Sequence, residues 1–282
     1  MLGLALALSA SVCWGLSDFL GGLQARHVRL LRVLLVSQGV GMLGLVVVIA
    51  ARRSAPPDLV RLLPAIGAGV AGIAALAAFY RALAVGTMSI VAPVSATGVA
   101  VPVLVGVAGG ERPAPLQLAG IAAAVLGVVL VSREPGAEAD GNRSATRASV
   151  ELALVAALGF GGYFVGIRPS AKASVLWALF ASRGTGLLAL AAAAVGRREP
   201  GKVSRAELVP LAVMGLLDLS ATALYAIAGR HGLLSVVAVG ASLYPLATVL
   251  LARLVLRERV RRIQELGIAA ALAGVVMIAA HS

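Results

Sequence analysis

Apolar positions in this chain fall in long unbroken blocks. They do not alternate, and they are not confined to one helical stripe. A helix crossing a bilayer needs about 20 mostly apolar residues, and ten blocks meet that length: 2–22, 33–51, 62–84, 88–109, 116–132, 149–167, 174–195, 208–229, 235–256 and 264–280. Continuous apolarity argues against a membrane barrel, whose strands alternate lipid-facing and lumen-facing residues. The pattern therefore predicts an all-α integral membrane protein with ten transmembrane helices and short connections. The first block has no basic stretch before it and no cleavage-site break after it, so it reads as a span and not as a signal peptide. The longest polar stretch, SREPGAEADGNRSATRAS from Ser132 to Ser149, reads as a solvated linker. It divides the chain into a five-helix unit over 1–132, a linker over 133–148 and a second five-helix unit over 149–282.

The two units resemble each other. VSQGVGMLGLVVVIAARR at 36–53 aligns with ASRGTGLLALAAAAVGRR at 181–198, which pairs Ser37 with Ser182, Gly39 with Gly184, Gly41 with Gly186 and Gln38 with Arg183. ERPAPLQLAGIAAAVLGVVLVS at 111–132 aligns with ERVRRIQELGIAAALAGVVMIA at 258–279, which pairs Glu111 with Glu258, Gln117 with Gln264, Gly120 with Gly267 and Gly127 with Gly274. The same offset as in the first alignment pairs Tyr80 with Tyr225. After an odd number of crossings the chain has changed sides, so the second unit sits inverted relative to the first. Inverted repeats are a signature of secondary transporters, whose site lies near the midplane between the repeats.

Composition sharpens this picture. The chain is 60% hydrophobic and 13% charged, with a mean hydropathy of +0.99. Soluble domains carry about 45–50% apolar and 25% charged residues, so this chain lacks the polar groups to coat a water-soluble surface. Its apolarity also excludes disorder, and Cys13, the only cysteine, excludes a disulfide scaffold. The net charge of +12 would suggest nucleic acid in a soluble protein. Here the basic residues cluster between apolar blocks, as at Arg52-Arg53, Arg197-Arg198 and Arg257 to Arg262, which is the pattern of membrane-flanking loops. The bias to Arg over Lys, with much Ala, Gly and Val, suggests a GC-rich bacterial genome and hence an inner (plasma) membrane. Counting Lys and Arg by side gives 16 on the side of the loop after the first span and 7 on the other. The positive-inside rule then puts both termini outside.

Against this background, charge inside a span is rare and informative, because it costs about 2.5–3.5 kcal/mol on insertion scales. Asp18, Arg183 and Asp218 stand inside spans. Two readings of Arg183 and Asp218 remain open: a structural pair that cancels two penalties, or coupling and substrate groups, with a carboxylate taking a proton or Arg183 holding a substrate carboxylate. Asp18 is also open to a capping role near the end of its helix. Tyr80, Tyr225 and the tryptophans Trp14 and Trp177 read either as cavity groups or as interfacial anchors. Gln38, Ser95, Thr97, Ser242 and Tyr244 read either as cavity lining or as interhelical hydrogen-bonding groups. Pro93, Pro102 and Pro245 interrupt the fourth and ninth spans; such breaks in matching positions are the best pointer to a transport site, though a static kink is the plain alternative. Gly67 to Gly72 matches GxGxxG but lies within a span with no preceding strand, so it reads as close packing and not as a dinucleotide site. Glu111 and Glu258 read as loop anchors paired with neighbouring arginines. No metal site, cofactor motif or catalytic constellation is expected.

Several of these residues carry a family resemblance over the full length. Trp14-Gly15 followed by Ser17-Asp18-Phe19-Leu20-Gly21-Gly22, Ser242-Leu243-Tyr244-Pro245, Leu256-Arg257-Glu258-Arg259, and Gln264, Gly267 and Gly274 resemble the motifs of EamA-type transporters of the drug/metabolite transporter superfamily. Arg257 stands where that pattern has Gly, and in the first repeat Gly98 takes the place of the Pro, with Pro102 a turn later. The resemblance implies a permease or exporter of a small metabolite, amino acid or drug-like molecule, with both termini inside, against the charge count. The expected partners are a small-molecule substrate, the lipid bilayer and a coupling proton, with no nucleic acid. An integral-membrane lipid-modifying enzyme would need a polar catalytic cluster at one membrane surface, and a non-transporting assembly protein would need neither central charges nor paired helix breaks.

Overall fold

The computed structural model describes residues 2–110, 114–132, 143–198, 204–231, 243–259 and 261–280. In a bilayer the backbone has no water to bond, so an apolar run satisfies its N–H and C=O groups internally as helix. The first repeat contains α1 (Leu2–His27), α2 (Leu30–Arg52), α3 (Leu59–Val85), α4 (Met88–Ala96), a 3₁₀ turn at Thr97–Val99, α5 (Ala100–Ala108) and α6 (Pro115–Ser132). The second contains α7 (Arg143–Ala173), α8 (Val175–Gly196), α9 (Arg205–His231), α10 (Tyr244–Val255) and α11 (Arg262–Ala279). Seven spans are long and apolar enough to cross a membrane on their own, one of them the continuous α4–α5 segment Met88–Ala108. With α6, α10 and α11 they make the ten-helix architecture.

The linker boundary differs from the sequence reading. Residues 143–148, expected in the linker, are the first turns of α7. This stretch holds no Gly or Pro, and Arg147 donates to Glu151 one turn on at 2.9 Å. The rest of the linker, 133–142, lies outside the described residues. Pro245 stands in the first turn of α10, where no intrahelical N–H is needed. Residues 235–242 of that span, Ser242 among them, lie outside the described residues. The fourth span does break. Pro102 has no N–H for the Gly98 carbonyl, and the chain tightens to 3₁₀ over Thr97–Val99 beside it.

The repeats pack crosswise. α1 runs along α9, and its counterpart α7 runs along α3; α2 meets α9 as α8 meets α3; α1 meets α10 as α7 meets α4; α6 and α11 pack on each other. Each of these pairings becomes another of them, or itself, when the repeats are exchanged, as an inverted two-fold requires. The register follows from close contacts. A methyl group on Gly127 would come 2.5 Å from Ala271 N, and one on Gly274 would come 2.5 Å from Ala124 N. Gly15 faces the Tyr244 carbonyl and Ala247, while Gly161 faces the Gly98 carbonyl and Val101. Gly69 lies on the Ser182 carbonyl and Gly215 on the Ser37 carbonyl.

These contacts correct the pairing of Tyr80 with Tyr225. Pro64 and Pro210 hold the same place in α3 and α9, as do Gly69 and Gly215, so Tyr225 corresponds to Phe79. The rings agree: Trp14–Tyr225 and Phe160–Phe79 both have centroids 5.8 Å apart. Likewise Gly98 is the counterpart of Tyr244, not of Pro245. One residue is gained between the second and third helices of the second repeat and another between the fourth and fifth. An offset read from the second helices therefore misplaces the third by one.

Candidate functional site

The groups singled out by charge meet where the repeats cross. α1 is drawn close to its neighbours by small residues. Ser17 Oγ donates to Met214 O of α9 at 3.1 Å, Thr248 Oγ1 of α10 donates to Gly15 O at 3.1 Å, and Gly21 leaves room for the Tyr80 ring of α3. Asp18, on the same helix, is thereby held within electrostatic reach of Asp218, Tyr80 and Tyr244. Trp14 lies one turn before it, against Tyr225 at 5.8 Å and Tyr244 at 6.5 Å.

Beside this group is a polar chain that crosses the repeat boundary. Arg183 Nη2 of α8 donates to Asp218 Oδ2 of α9 at 2.5 Å, and Arg183 Nη1 donates to Gln38 Oε1 of α2 at 3.4 Å. Gly41 makes space for the guanidinium, since a methyl group there would come 2.6 Å from Nη1. The Arg183 and Asp218 side chains are 12% and 25% exposed, so the pair is largely desolvated. Arg183 is thus already engaged on both of its terminal nitrogens. Asp18 makes no ion pair or hydrogen bond among the described residues.

Asp18, Gln38, Tyr80, Arg183, Asp218, Tyr225 and Tyr244 are therefore neighbours. Ser95 Oγ donates to Ala92 O at 2.9 Å and Thr97 Oγ1 to Val94 O at 2.7 Å, both along their own helix. Pro93 is buried in α4. Trp177 lies away from the centre, with its indole N–H on Ser54 O at 3.3 Å. Tyr163 of α7, passed over in the sequence, packs on Gly72 and stands near Arg183 and Asp218. Its one available signal was the glycine-flanked run Gly161-Gly162-Tyr163.

The second polar cluster lies at the end of the bundle that carries the loop after α1. Glu258 was expected to pair with adjacent arginines. Instead its two oxygens accept the backbone N–H groups of Met88 and Ser89, at 3.0 and 2.9 Å, across the repeat boundary at the start of α4. Arg26 lies 3.7 Å from the same carboxylate and reaches the Leu83 and Gly86 carbonyls, each at 3.4 Å. The loop turn that aims Glu258 there puts Arg257 in the left-handed region, at φ 54. Arg32 of α2 pairs with Glu207 of α9 at 3.2 Å at that same end. Glu111 lies outside the described residues.

The sequence profile of the EamA-like transporter family matches the chain twice, over residues 1–133 and 148–280. The chain belongs to the EamA-like transporter family. It is thus a multi-pass membrane transporter of the drug/metabolite type, built from two EamA repeats. A search of curated proteins returned no match. Among solved structures, a crystal structure titled only as that of a protein is similar over 98% of this chain and 95% of its own, with a TM-score of 0.63 at 15% identity; this likeness concerns the fold. Arg257 occupies the position where the EamA-type exit motif usually has Gly, and its positive φ gives the physical reason for that preference.

Proposed function

We propose that this EamA protein is a secondary transporter that moves a small metabolite, amino acid or drug-like solute across the plasma membrane by alternating access. The observation that carries the reading is the meeting of a desolvated ion pair, Arg183–Asp218, with a carboxylate, Asp18, that has no partner among the described residues, where two crosswise-packed repeats join. Charge at such depth is costly and is found where solutes or protons pass. Asp18 and Asp218 are the groups for proton coupling. Rocking one repeat against the other opens each end of the bundle in turn, and Arg26, Glu258 and the start of α4 hold the basic end shut.

The basic end faces the cytoplasm in this reading, which places both termini outside. A C-terminal fusion to a reporter active only in the cytoplasm reads this: darkness supports the orientation and activity refutes it. Transport itself is tested with purified protein in proteoliposomes, against a panel of amino acids, organic cations and other metabolites, with and without a proton gradient. Saturable uptake of a panel member, impaired by Asp218→Asn at equal protein insertion, is expected. Uptake equal to that of protein-free vesicles across the panel would refute it.

A further inference from the structure

We infer that the central site takes an organic cation, an ammonium-bearing solute with an apolar body, through the Asp18 carboxylate and the aromatic rings around it. The inference rests on the transport reading and narrows its substrate class. Its first support is the charge count of the centre. Asp218 and Arg183 cancel each other at 2.5 Å, and Gln38, which fills the other terminal nitrogen of Arg183, is neutral. When ionised, Asp18 then leaves one negative charge with no cationic partner among the described residues. On the helices that pack against α1, the titratable groups within electrostatic reach of Asp18 are Asp218 on α9, Tyr244 on α10 and Tyr80 on α3. None of them supplies a positive charge. A carboxylate removed from water is stable only when paired or neutralised; among the described residues no cation pairs with it, so a proton or a cationic solute takes that place.

The second support is the company Asp18 keeps. Trp14 lies one helical turn before it, on the same face of α1, with Tyr225 and Tyr244 against the indole at 5.8 and 6.5 Å. The Tyr80 ring lies on Gly21 of the same helix. Four helices thus bring aromatic groups to one unpaired carboxylate. Ring faces attract ammonium groups by their quadrupole, most strongly when water is excluded, while the carboxylate supplies the full charge. An anionic solute finds the reverse. Arg183, the cation of the central cluster, is held by Asp218 and Gln38, and an ionised Asp18 repels the anion.

The test is binding to the full-length, detergent-solubilised protein, with radiolabelled benzyltrimethylammonium as the probe, because its charge is permanent. Benzoate and benzyl alcohol are the anionic and neutral competitors. Unlabelled benzyltrimethylammonium is expected to displace the label at least tenfold more effectively than either competitor. Asp18→Asn is expected to weaken binding at least tenfold and Asp18→Glu to retain it, while Trp14→Leu weakens it about fivefold or more through the lost ring. Each variant is first shown monodisperse by size exclusion, and a variant that fails this is replaced by Tyr244→Leu, which tests the same ring cluster. Equal displacement by all three compounds would overturn the inference, as would unchanged binding in Asp18→Asn. If the probe does not bind while the proteoliposome panel shows uptake of an anionic or neutral solute, the cation inference falls and the transport reading stands.

Discussion

Replacing Arg183 with Gln tests the central ion pair. The guanidinium and the Asp218 carboxylate are 12% and 25% exposed and 2.5 Å apart at their nearest atoms. Two unit charges with centres about 4 Å apart interact by about 4 kcal/mol at an effective dielectric of 20. Removing one member also leaves the other buried without compensation, and such breaks cost about 3–5 kcal/mol. Arg183→Gln should therefore destabilise by about 3 kcal/mol. Asp218→Asn should cost less, about 2 kcal/mol, because the Asn oxygen still accepts from Nη2. The double variant removes both charges and keeps amides able to bond each other, so it should recover at least about 2 kcal/mol relative to the sum of the singles. At roughly 2–4 °C per kcal/mol for a chain of this size, the Arg183→Gln melting point should fall by roughly 6–12 °C. The assay is the fraction of monodisperse protein left after heating, measured by size exclusion in detergent for wild type, both singles and the double. Additive losses in the double variant, or an Arg183→Gln protein as stable as wild type, would refute the reasoning. Transport should be lost in the double variant even though it is no less stable than Arg183→Gln.

Three further outcomes follow from the packing. Gly127→Val and Gly274→Val should each prevent the close approach of α6 and α11, because a Cβ there meets the facing backbone at 2.5 Å; backbone cannot swing aside as a side chain can, so a stability loss of more than about 3 kcal/mol is expected in the same heating assay. Arg257→Gly should stabilise by about 1 kcal/mol, since it relieves a left-handed residue at φ 54; a lower melting point would show that the Arg257 side chain matters more than its backbone. Glu258→Gln leaves one good acceptor for the two N–H groups of Met88 and Ser89 and removes the charge at the start of α4, so hydrogen exchange should accelerate in a peptide covering 85–92 and stay unchanged in one covering 116–127.

The spans were legible because a bilayer imposes one length and one polarity on every crossing, and the Leu30–Arg52 and Val175–Gly196 helices lie within three residues of their expected ends. Asp18, Arg183 and Asp218 were legible as well, since charge stands out against apolar sequence. What the sequence could not show was register. Tyr80 and Tyr225 are the same residue type one position out of true equivalence, and chemical identity outweighed the Gly69–Gly215 match that fixes the helices. Glu258 was misread for a different reason. Its neighbours Arg257 and Arg259 are close in sequence, but its partners Met88 and Ser89 arrive from the other repeat, and no local rule connects them. Tyr163 was passed over because its role depends on Gly72 of α3, which contacts it only through the crosswise packing.

The claim that the two repeats rock about a shared centre is tested most directly by paired distances at the two ends of one molecule. In a Cys13→Ser background, spin labels are placed at Arg29 and Arg197 on the basic end and, in a second sample, at Arg52 and Lys172 on the other. All four positions are exposed, and each pair joins the two repeats. Distances are measured by pulsed electron resonance in nanodiscs at two pH values, with and without a transported solute. Two populations are expected at each end, with the basic-end distance lengthening under the conditions that shorten the opposite one. A single unchanging distance at both ends, or both ends widening together, would contradict it.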